Sequence, residues 1–484
     1  MKNSSLESEE DKSPFSGDEP LINRENNEVK TQSIKKGLLI AIIIIVLVFI
    51  LIGILLFFLV FKKKEEKTNS LPNTILAKYD ILFPTNLTKI FDFTYLNLID
   101  EIKINGKLAE LNNTQTFEYE GIHTIQLHFK NDLTSLDNLF FKVNTLQEVD
   151  LTNITSTKIK SASDLFNGCI SLLKVNFSKH YSNLNNISNM FSGCSSLESI
   201  NMNAFNKDTL QDISGLFSGC FQLSDINFGN FNTKKVINMS DLFSECSNLK
   251  TLNLTGFSTS NVKFMQNMFY GCESLDSINL DNFDTKNVVD MHGMFDGCIS
   301  IKNLSLKNFD TKKVKDMYFM FSNCESLTSL DIQNFKTVEL EDMFGMFKSC
   351  KSIKEIDISH FNTNKVTDMG DLFGNCTNLQ KVNLNNLKTD NLVYMIGMFE
   401  SCISLESVDL SNFNTEKVVD VRYMLNECKK LSLIDFSNFN CKNIEEYEGI
   451  FNGLPENGKL IYNSEIFNET ILDLLPENWT KEIS

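Results

Sequence analysis

The sequence predicts an α/β solenoid of stacked units, each made of a strand, a turn and a short helix, preceded by one transmembrane helix. Three observations support this prediction. Cysteines recur at an almost constant interval, apolar residues recur at fixed places between them, and an uncharged segment runs from Gly37 to Phe61 near the N-terminus. A sequence period between 20 and 50 residues is typical of stacked repeat architectures.

The cysteines set the repeat length. The nine intervals from Cys194 onward define a 26-residue period, and the first interval is one position shorter. Eleven of the twelve cysteines share this register: Cys169, Cys194, Cys220, Cys246, Cys272, Cys298, Cys324, Cys350, Cys376, Cys402 and Cys428. Val143 and Leu454 continue the register at its two ends, so the position accepts ordinary apolar side chains. We therefore predict a column of buried thiols, with a disulfide or metal ladder as the alternative. Cys441 lies outside the register.

Each unit begins with a short strand. In the unit that starts at Cys272, Ile278 and Leu280 alternate with polar Asn279, the pattern of a strand with one buried face. The spacing of Leu275, Ile278 and Leu280 matches the L-x-x-L-x-L core of leucine-rich repeats. The sequence thus predicts a leucine-rich-repeat-like, right-handed superhelix of about 13 units over residues 139–454.

A turn and a short helix are predicted to follow each strand. Asp and Thr side chains favour turns and helix starts, and Asp284–Asn287 is rich in such residues. Apolar residues then fall at i, i+3, i+6 and i+7, one face of a helix: Val288, Met291, Met294 and Phe295. Gly297 suits a left-handed helix stop.

Polar residues stand between the two buried positions of each strand and are expected to face outward. They form a stripe that becomes richer in Asp toward the C-terminus. The candidate binding-face residues are Asn279, Ser305, Asp331, Asp357, Asn383, Asp409 and Asp435. The stripe predicts either a ligand-binding face or a solvated face that resists sheet aggregation.

The repeats resemble a known family. Units such as Phe283 to Cys298, which read FDTKNVVDMHGMFDGC, are similar to the repeats of BspA-like leucine-rich-repeat surface proteins of bacteria and protists. The resemblance covers about residues 116–484, including a terminal segment with Trp479. It implies a cell-surface protein linked to adhesion to host proteins or neighbouring cells, without shared catalytic residues. An N-terminal anchor in place of a cleaved signal departs from many members.

A membrane-anchored organisation is expected from the N-terminal segment. Gly37 to Phe61 exceeds the roughly 20 apolar residues that span a bilayer and is too long for a signal-peptide core. The predicted segments are a disordered cytosolic tail at 1–36, the transmembrane helix at 37–61, a juxtamembrane region at 62–115, an N-terminal β cap at 116–138, the solenoid at 139–454 and a C-terminal cap at 455–484. Lysines flank the helix almost equally, so the resemblance decides the expected orientation, with the N-terminus cytosolic and the repeats outside.

Two kinds of short motif concern trafficking and modification. Asp18, Leu21 and Ile22 match an acidic dileucine-type sorting signal. Candidate N-glycosylation sites follow the apolar segment at Asn86, Asn112, Asn153, Asn176, Asn186, Asn238, Asn253, Asn303, Asn375, Asn468 and Asn478. The chain is rich in Asn, so such tripeptides also arise by chance.

Charge and motif content narrow the function. A net charge of −17 argues against nucleic-acid binding, which needs a basic surface. The sequence carries no nucleotide-binding, hydrolase or metalloprotease motif, so we expect a non-catalytic protein without cofactor or metal. The expected partner is a protein or glycan on host or neighbouring cells. A trafficked receptor, a passive coat or antigenic decoy, and an intracellular membrane-tethered scaffold remain alternatives.

Overall fold

The computed structural model describes residues 72–179 and 181–484. The predicted tail at 1–36, the predicted transmembrane segment at 37–61 and the motif of Asp18, Leu21 and Ile22 lie outside the described residues. Within the described ranges, no helix is long and apolar enough to span a membrane.

An antiparallel sheet forms the N-terminal end of the described chain. The elements of this end are β1 (Thr74–Ile81), β2 (Thr88–Lys89), a 3₁₀ helix (Phe93–Leu98), β3 (Ile99–Ile104), β4 (Lys107–Ala109), β5 (Thr114–Gln115) and β6 (Gly121–Phe129). Strands β2 and β5 pair with each other as a separate two-stranded sheet. The main sheet has the order β4-β3-β6-β1, and the first two strands of the solenoid, β7 and β8, continue it. Strand β1 pairs antiparallel with β6 on one side and with β7 on the other. The sheet therefore covers the first edge of the solenoid, and it includes strands before residue 116 that the sequence did not predict.

Parallel strands recur once per repeat through the rest of the chain. They are β7 (Leu146–Asp150), β8 (Lys174–Asn176), β9 (Ser199–Asn201), β10 (Asp225–Asn227), β11 (Thr251–Leu252), β12 (Ser277–Ile278), β13 (Asn303–Ser305), β14 (Ser329–Asp331), β15 (Glu355–Asp357), β16 (Lys381–Asn383), β17 (Ser407–Asp409), β18 (Leu433–Phe436) and β19 (Lys459–Tyr462). Paired strands are in register at one full repeat, as Ser305 is with Asp331. Thirteen such strands bound twelve turns, so the chain is a β-solenoid.

A second parallel ladder runs along another side of the solenoid. Single bridges join residues one repeat apart, beginning with Ser135 to Ser161 and ending with Asp420 to Glu446. These bridges add a second set of contacts between neighbouring turns. The right-handed sense of the superhelix stays a prediction.

The prediction of a short helix in each unit is wrong. Val288, Met291, Met294 and Phe295 are fully buried, as the helical spacing predicted, but the backbone around them forms consecutive turns rather than an α-helix. In the described ranges the α-helix is α1 (Glu469–Leu472), beyond the repeats. The spacing therefore predicted which residues are inside the solenoid but not their backbone conformation.

Alternating hydrogen bonds explain the missing helices. The N–H of Met294 donates to Met291 within its own turn, at 3.2 Å, whereas the N–H of Phe295 donates to Met320 on the next turn, at 2.9 Å. Gly293, between Met291 and Met294, has a φ of +58°, outside the helical region. Because every second N–H serves the neighbouring turn, a continuous i to i−4 pattern cannot form.

Columns of identical side chains fill the interior. Successive phenylalanines stack, with ring centroids 5.5 Å apart for Phe269 and Phe295. All twelve cysteines are free and buried, and the Sγ–H of Cys272 donates to the carbonyl of Phe243 at 3.2 Å. Burial raises the pKa of Cys272 to about 12. The register cysteines therefore lie in the structure as protonated core side chains.

The C-terminal end is closed by α1 and β20 (Thr480–Ile483), which pairs with β19. The indole of Trp479 is buried, and its Nε1–H donates to the carbonyl of Pro455 at 2.9 Å. These residues shield the last turn, whose apolar face has no following repeat to cover it.

Candidate binding surfaces

The predicted binding residues form one column along the solenoid. This strand face consists of Asn279, Ser305, Asp331, Asp357, Asn383, Asp409 and Asp435. Most of these side chains are exposed; Asn383 and Asp435 are half-buried. Parallel pairing places Asp357 beside Asn383 and Asp409 beside Asp435. The structure thus brings the residues together as a polar ladder, and their role in binding stays a prediction.

The strand-face residues also shape the backbone. Asp357 Oδ1 accepts the N–H of Ser359 at 2.9 Å, and Asp409 Oδ1 accepts the N–H of Ser411 at 2.9 Å. Burial acts to raise the pKa of Asp357, but hydrogen bonds led by those from Ser359 outweigh it and lower that pKa. Asp and Asn therefore recur here because they end a strand and begin a turn.

The candidate glycosylation sites differ in accessibility. The exposed ones are Asn86, Asn112, Asn176, Asn253, Asn303 and Asn478, whereas the half-buried ones are Asn153, Asn186, Asn238, Asn375 and Asn468. Several half-buried side chains are engaged: Asn468 caps α1 through the N–H of Thr470, and Asn238 accepts the N–H of Ser240. Modification at any of these sites stays a prediction.

Sequence reasoning did not single out a second polar column, on the bridge side of the solenoid. We call Asp290, Asp316, Asp342 and Asp368 the acidic ladder; bridges join the first three across successive turns. Burial raises the pKa of Asp316, and the charges of Asp290 and Asp342 raise it further. The recurrence of Asp at one fixed offset after successive register cysteines could have revealed this column.

One group on this side has the residue types of a metal site. Asp290, His292 and Asp316 each offer a ligand atom, and these atoms lie within 4.8 Å of one another. However, His292 Nδ1 is 2.9 Å from Asp290 Oδ1, and this hydrogen bond raises the pKa of His292. An ion pair between His292 and Asp290 accounts for their proximity without a metal.

Beside this ladder lies an acidic groove of about 380 Å³. Carboxylates of Glu245, Glu273, Asp296 and Glu325 line it, together with the ring of Tyr270. Asn323 Nδ2 donates to Asp296 at 2.9 Å, but burial is the dominant effect and raises the pKa of Asp296. The groove and the acidic ladder concentrate carboxyl groups on this side of the molecule.

The described histidines do not assemble into one site. His123 bonds to Asn105, His128 to Thr74, and His360 to the carbonyl of Ile332. His180 lies outside the described residues. The expectation of a non-catalytic protein stays a prediction.

Comparison with known protein families identifies a family that the repeats match. Four overlapping segments, 134–252, 185–284, 238–356 and 342–463, match the family described as "Mycoplasma protein of unknown function, DUF285". Together they cover residues 134–463, more than half of the chain. The chain belongs to this family. The DUF285 matches run in tandem along the solenoid, which agrees with its regular repeat.

Other comparisons add little to the DUF285 assignment. No curated protein matches the chain. Among solved structures, the chain is similar to one in the "Crystal structure of TLR13-ssRNA13 complex", with 17% identity and a TM-score of 0.20. That match covers 63% of this chain and 49% of the other, so this chain matches about half the length of that one.

Proposed function

We propose that this chain is a single-pass, membrane-anchored cell-surface protein that binds a protein or glycan on host or neighbouring cells through its solenoid surface. The proposed mode is non-catalytic adhesion or ligand binding. The observation that carries it is the strand face, a column of polar side chains at equivalent places on successive turns, with in-register pairs at Ser305–Asp331, Asp357–Asn383 and Asp409–Asp435. The resemblance to BspA-like surface proteins supports the cell-surface and adhesive parts of the proposal.

The dimensions suit a large partner. Parallel strands lie about 4.8 Å apart, so twelve turns extend over roughly 60 Å. Stacked-repeat proteins use such long surfaces to bind other macromolecules. Because polar side chains repeat along this length, a partner can make many similar contacts of modest strength.

Two alternatives have a specific observation in their favour. A trafficked receptor is favoured by the motif of Asp18, Leu21 and Ile22, and replacing both Leu21 and Ile22 by Ala would then change its steady-state location. A passive coat or antigenic decoy is favoured by the turn-forming role of the strand-face carboxylates, because that role explains their recurrence without a ligand. An intracellular membrane-tethered scaffold has no such support.

The membrane topology is tested first. Intact cells that produce the full chain with a C-terminal epitope tag are treated with protease, and the tag is followed by immunoblotting. Loss of the tag from intact cells is expected. Loss only after permeabilisation would place the repeats inside and contradict the proposal.

Adhesion is tested with variants of the strand face. Asp331→Asn, Asp357→Asn and Asp409→Asn are combined in the full chain, because Asn retains an oxygen that can accept the turn N–H while the charge is lost. We expect weaker attachment of producing cells to host or sibling cells than with the unmodified chain at equal surface amounts. Unchanged attachment would favour the passive-coat alternative.

A further inference from the structure

Three aromatic rings form a cluster on the acidic-ladder side. The ring centroids of Tyr318 and Phe319 are 4.2 Å apart, those of Tyr318 and Phe344 are 5.6 Å apart, and those of Phe319 and Phe344 are 5.5 Å apart. Tyr318 is 38% exposed, and the other two residues are half-buried. The rings thus form an apolar patch that solvent reaches, beside the acidic ladder.

Phe319 adopts a backbone conformation that disfavours its side chain. Its φ is +53°, in the left-handed region, which costs a non-glycine residue roughly 1–2 kcal/mol. The same place on other turns is occupied mainly by Asn, Asp or Gly, as with Asn189, Asn267 and Gly293. The ring covers Gly345 on the next turn, where a Cβ would meet Phe319 Cε1 at 2.0 Å. Strain of this kind concentrates at functional sites.

Among the described residues, the ladder carboxylates beside these rings have no salt-bridge partner; a ring nitrogen of His292 lies within 4.8 Å of Asp316 but is hydrogen-bonded to Asp290. At two other turns of this column, the residue two positions after the acid supplies a cation: Arg422 Nη2 lies 2.7 Å from Asp420 Oδ2, and His292 pairs with Asp290. After Asp368 the same place holds Gly370. After Asp316 and Asp342, the same place holds Tyr318 and Phe344. Within the described residues, neither Asp316 nor Asp342 has an ion pair.

Three carboxylates act on the Tyr318 phenol. Burial is the main cause of its raised pKa, followed by the charges of Asp342 and Asp296, and Asp316 adds to the effect. The nearby cation is Lys348, whose ammonium is 2.6 Å from Asp371 and is therefore already paired. A guanidinium suits both parts of this site, because it stacks on aromatic rings and bonds carboxylates with fixed geometry.

We propose that Tyr318, Phe319 and Phe344, with the carboxylates of Asp316 and Asp342, form a binding site for an arginine side chain of a partner polypeptide. The guanidinium would lie against the rings and complete at these carboxylates the pairing that Arg422 makes with Asp420. The site lies on the acidic ladder rather than on the strand face. It therefore goes beyond the proposed function and does not depend on membrane anchoring.

The first test replaces the strained ring. The probe is a fluorescent glycine–serine peptide with two arginines, and the reference peptide carries neutral citrulline in their place. Fluorescence anisotropy measures binding of each peptide to the full chain. The variant is Phe319→Asn, because Asn occupies this position on other turns without loss of the fold. We expect the arginine peptide to bind the unmodified chain more tightly than the citrulline peptide, and Phe319→Asn to weaken binding about tenfold.

Tyr423→Asn is the matched control. Tyr423 also has a positive φ, +57°, and covers a glycine, Gly449, but the nearby Asp420 is already paired with Arg422. The control should bind the arginine peptide as the unmodified chain does. Equal binding of the two peptides, equal binding by Phe319→Asn, or equal weakening by Tyr423→Asn would each overturn the proposal.

The second test removes charge without removing turns. Asp316→Asn with Asp342→Asn retains acceptors for the N–H groups of Tyr318 and Phe344, which now bond to Oδ1 at 2.9 Å. Asp331→Asn with Asp357→Asn makes the same change in net charge on the strand face. Weaker binding of the arginine peptide by the Asp316→Asn, Asp342→Asn variant alone supports the site. Weaker binding of the arginine peptide by the Asp331→Asn, Asp357→Asn variant alone overturns the proposed arginine site and leaves the adhesion proposal intact.

Discussion

Thr285 holds both backbone groups of Asp310 on the next turn. Its Oγ1 accepts the N–H of Asp310 at 2.7 Å and donates to the carbonyl of the same residue at 3.1 Å. Thr285 is buried, and buried threonines recur at the same place on other turns: Thr233, Thr259, Thr311, Thr337, Thr363, Thr389 and Thr415. The threonine column is therefore a set of side-chain links between turns, inside the solenoid.

Replacing Thr285 by Val should destabilise the solenoid. Val keeps the volume of Thr but leaves the N–H of the half-buried Asp310 without its partner, which costs about 1–3 kcal/mol. The expected result is a lower midpoint of urea denaturation for the full chain, followed by circular dichroism. Thr285→Ser keeps the hydroxyl and should lower the urea midpoint less. Equal decreases of the midpoint in Thr285→Val and Thr285→Ser would contradict the assigned hydrogen bonds.

Gly345 should not tolerate a side chain. Its φ is +58°, and an added Cβ would meet the Phe319 ring. Gly345→Ala is expected to cost at least about 1–2 kcal/mol of unfolding free energy from the backbone alone. Gly256→Ala is the control, because nothing lies within 4 Å of its Cβ position and no positive φ is involved. The two variants are compared by thermal denaturation; similar transition temperatures would refute the close contact between the two turns.

The cysteine column should be chemically inert in the folded protein. A thiol reacts as its thiolate, and burial raises the pKa of Cys220, Cys272 and Cys376 to about 12. At a pH near 8, we expect a colorimetric thiol reagent to label almost none of the twelve cysteines until denaturant is added. Burial raises the pKa of Cys441 to about 11. The difference in labelling between the unmodified chain and Cys441→Ser gives the part of the labelling that occurs at Cys441. Rapid labelling of several thiols in the native chain would contradict this prediction.

Acidification from about pH 8 to about pH 5 should stabilise the solenoid. Burial raises the pKa of Asp296, Asp316 and Asp368, and the hydrogen bond that His292 donates to Asp290 raises the pKa of His292. A group with a raised folded-state pKa binds protons more tightly when folded, so its contribution to stability is lost as the pH rises through that pKa. The urea midpoint, measured across this range, should therefore increase as the pH falls.

A single variant separates this effect from the general decrease in net charge. In the unmodified chain, the N–H of Gly370 donates to Asp368 Oδ1 at 2.7 Å. Asp368→Asn keeps an acceptor for this N–H and removes the partly buried charge. It should raise the urea midpoint at neutral pH and reduce its pH dependence, whereas Asp331→Asn at an exposed position should do so less. A steeper pH dependence of the urea midpoint in Asp368→Asn would contradict the direction assigned to the contribution of Asp368.

The sequence predicted the repeat length, the buried residues and the outward polar stripe. These properties follow from spacing, because a constant period places equivalent residues on successive turns and apolar residues inside. It did not predict the αL residue Phe319, the pairing of Asp420 with Arg422, or the approach of Phe319 to Gly345. Such contacts join residues of neighbouring turns, whose relative position depends on the path of the whole backbone.

By itself, the sequence determined that equivalent residues of successive units stack in columns and that cysteine and phenylalanine fill the interior. The tertiary structure decided how each backbone N–H is satisfied. The spacing of Val288, Met291 and Met294 requires only that one side be buried, and helices or consecutive turns both meet that requirement. Bonds to the next turn selected consecutive turns, because parallel stacking gives every second N–H a carbonyl acceptor outside its own unit.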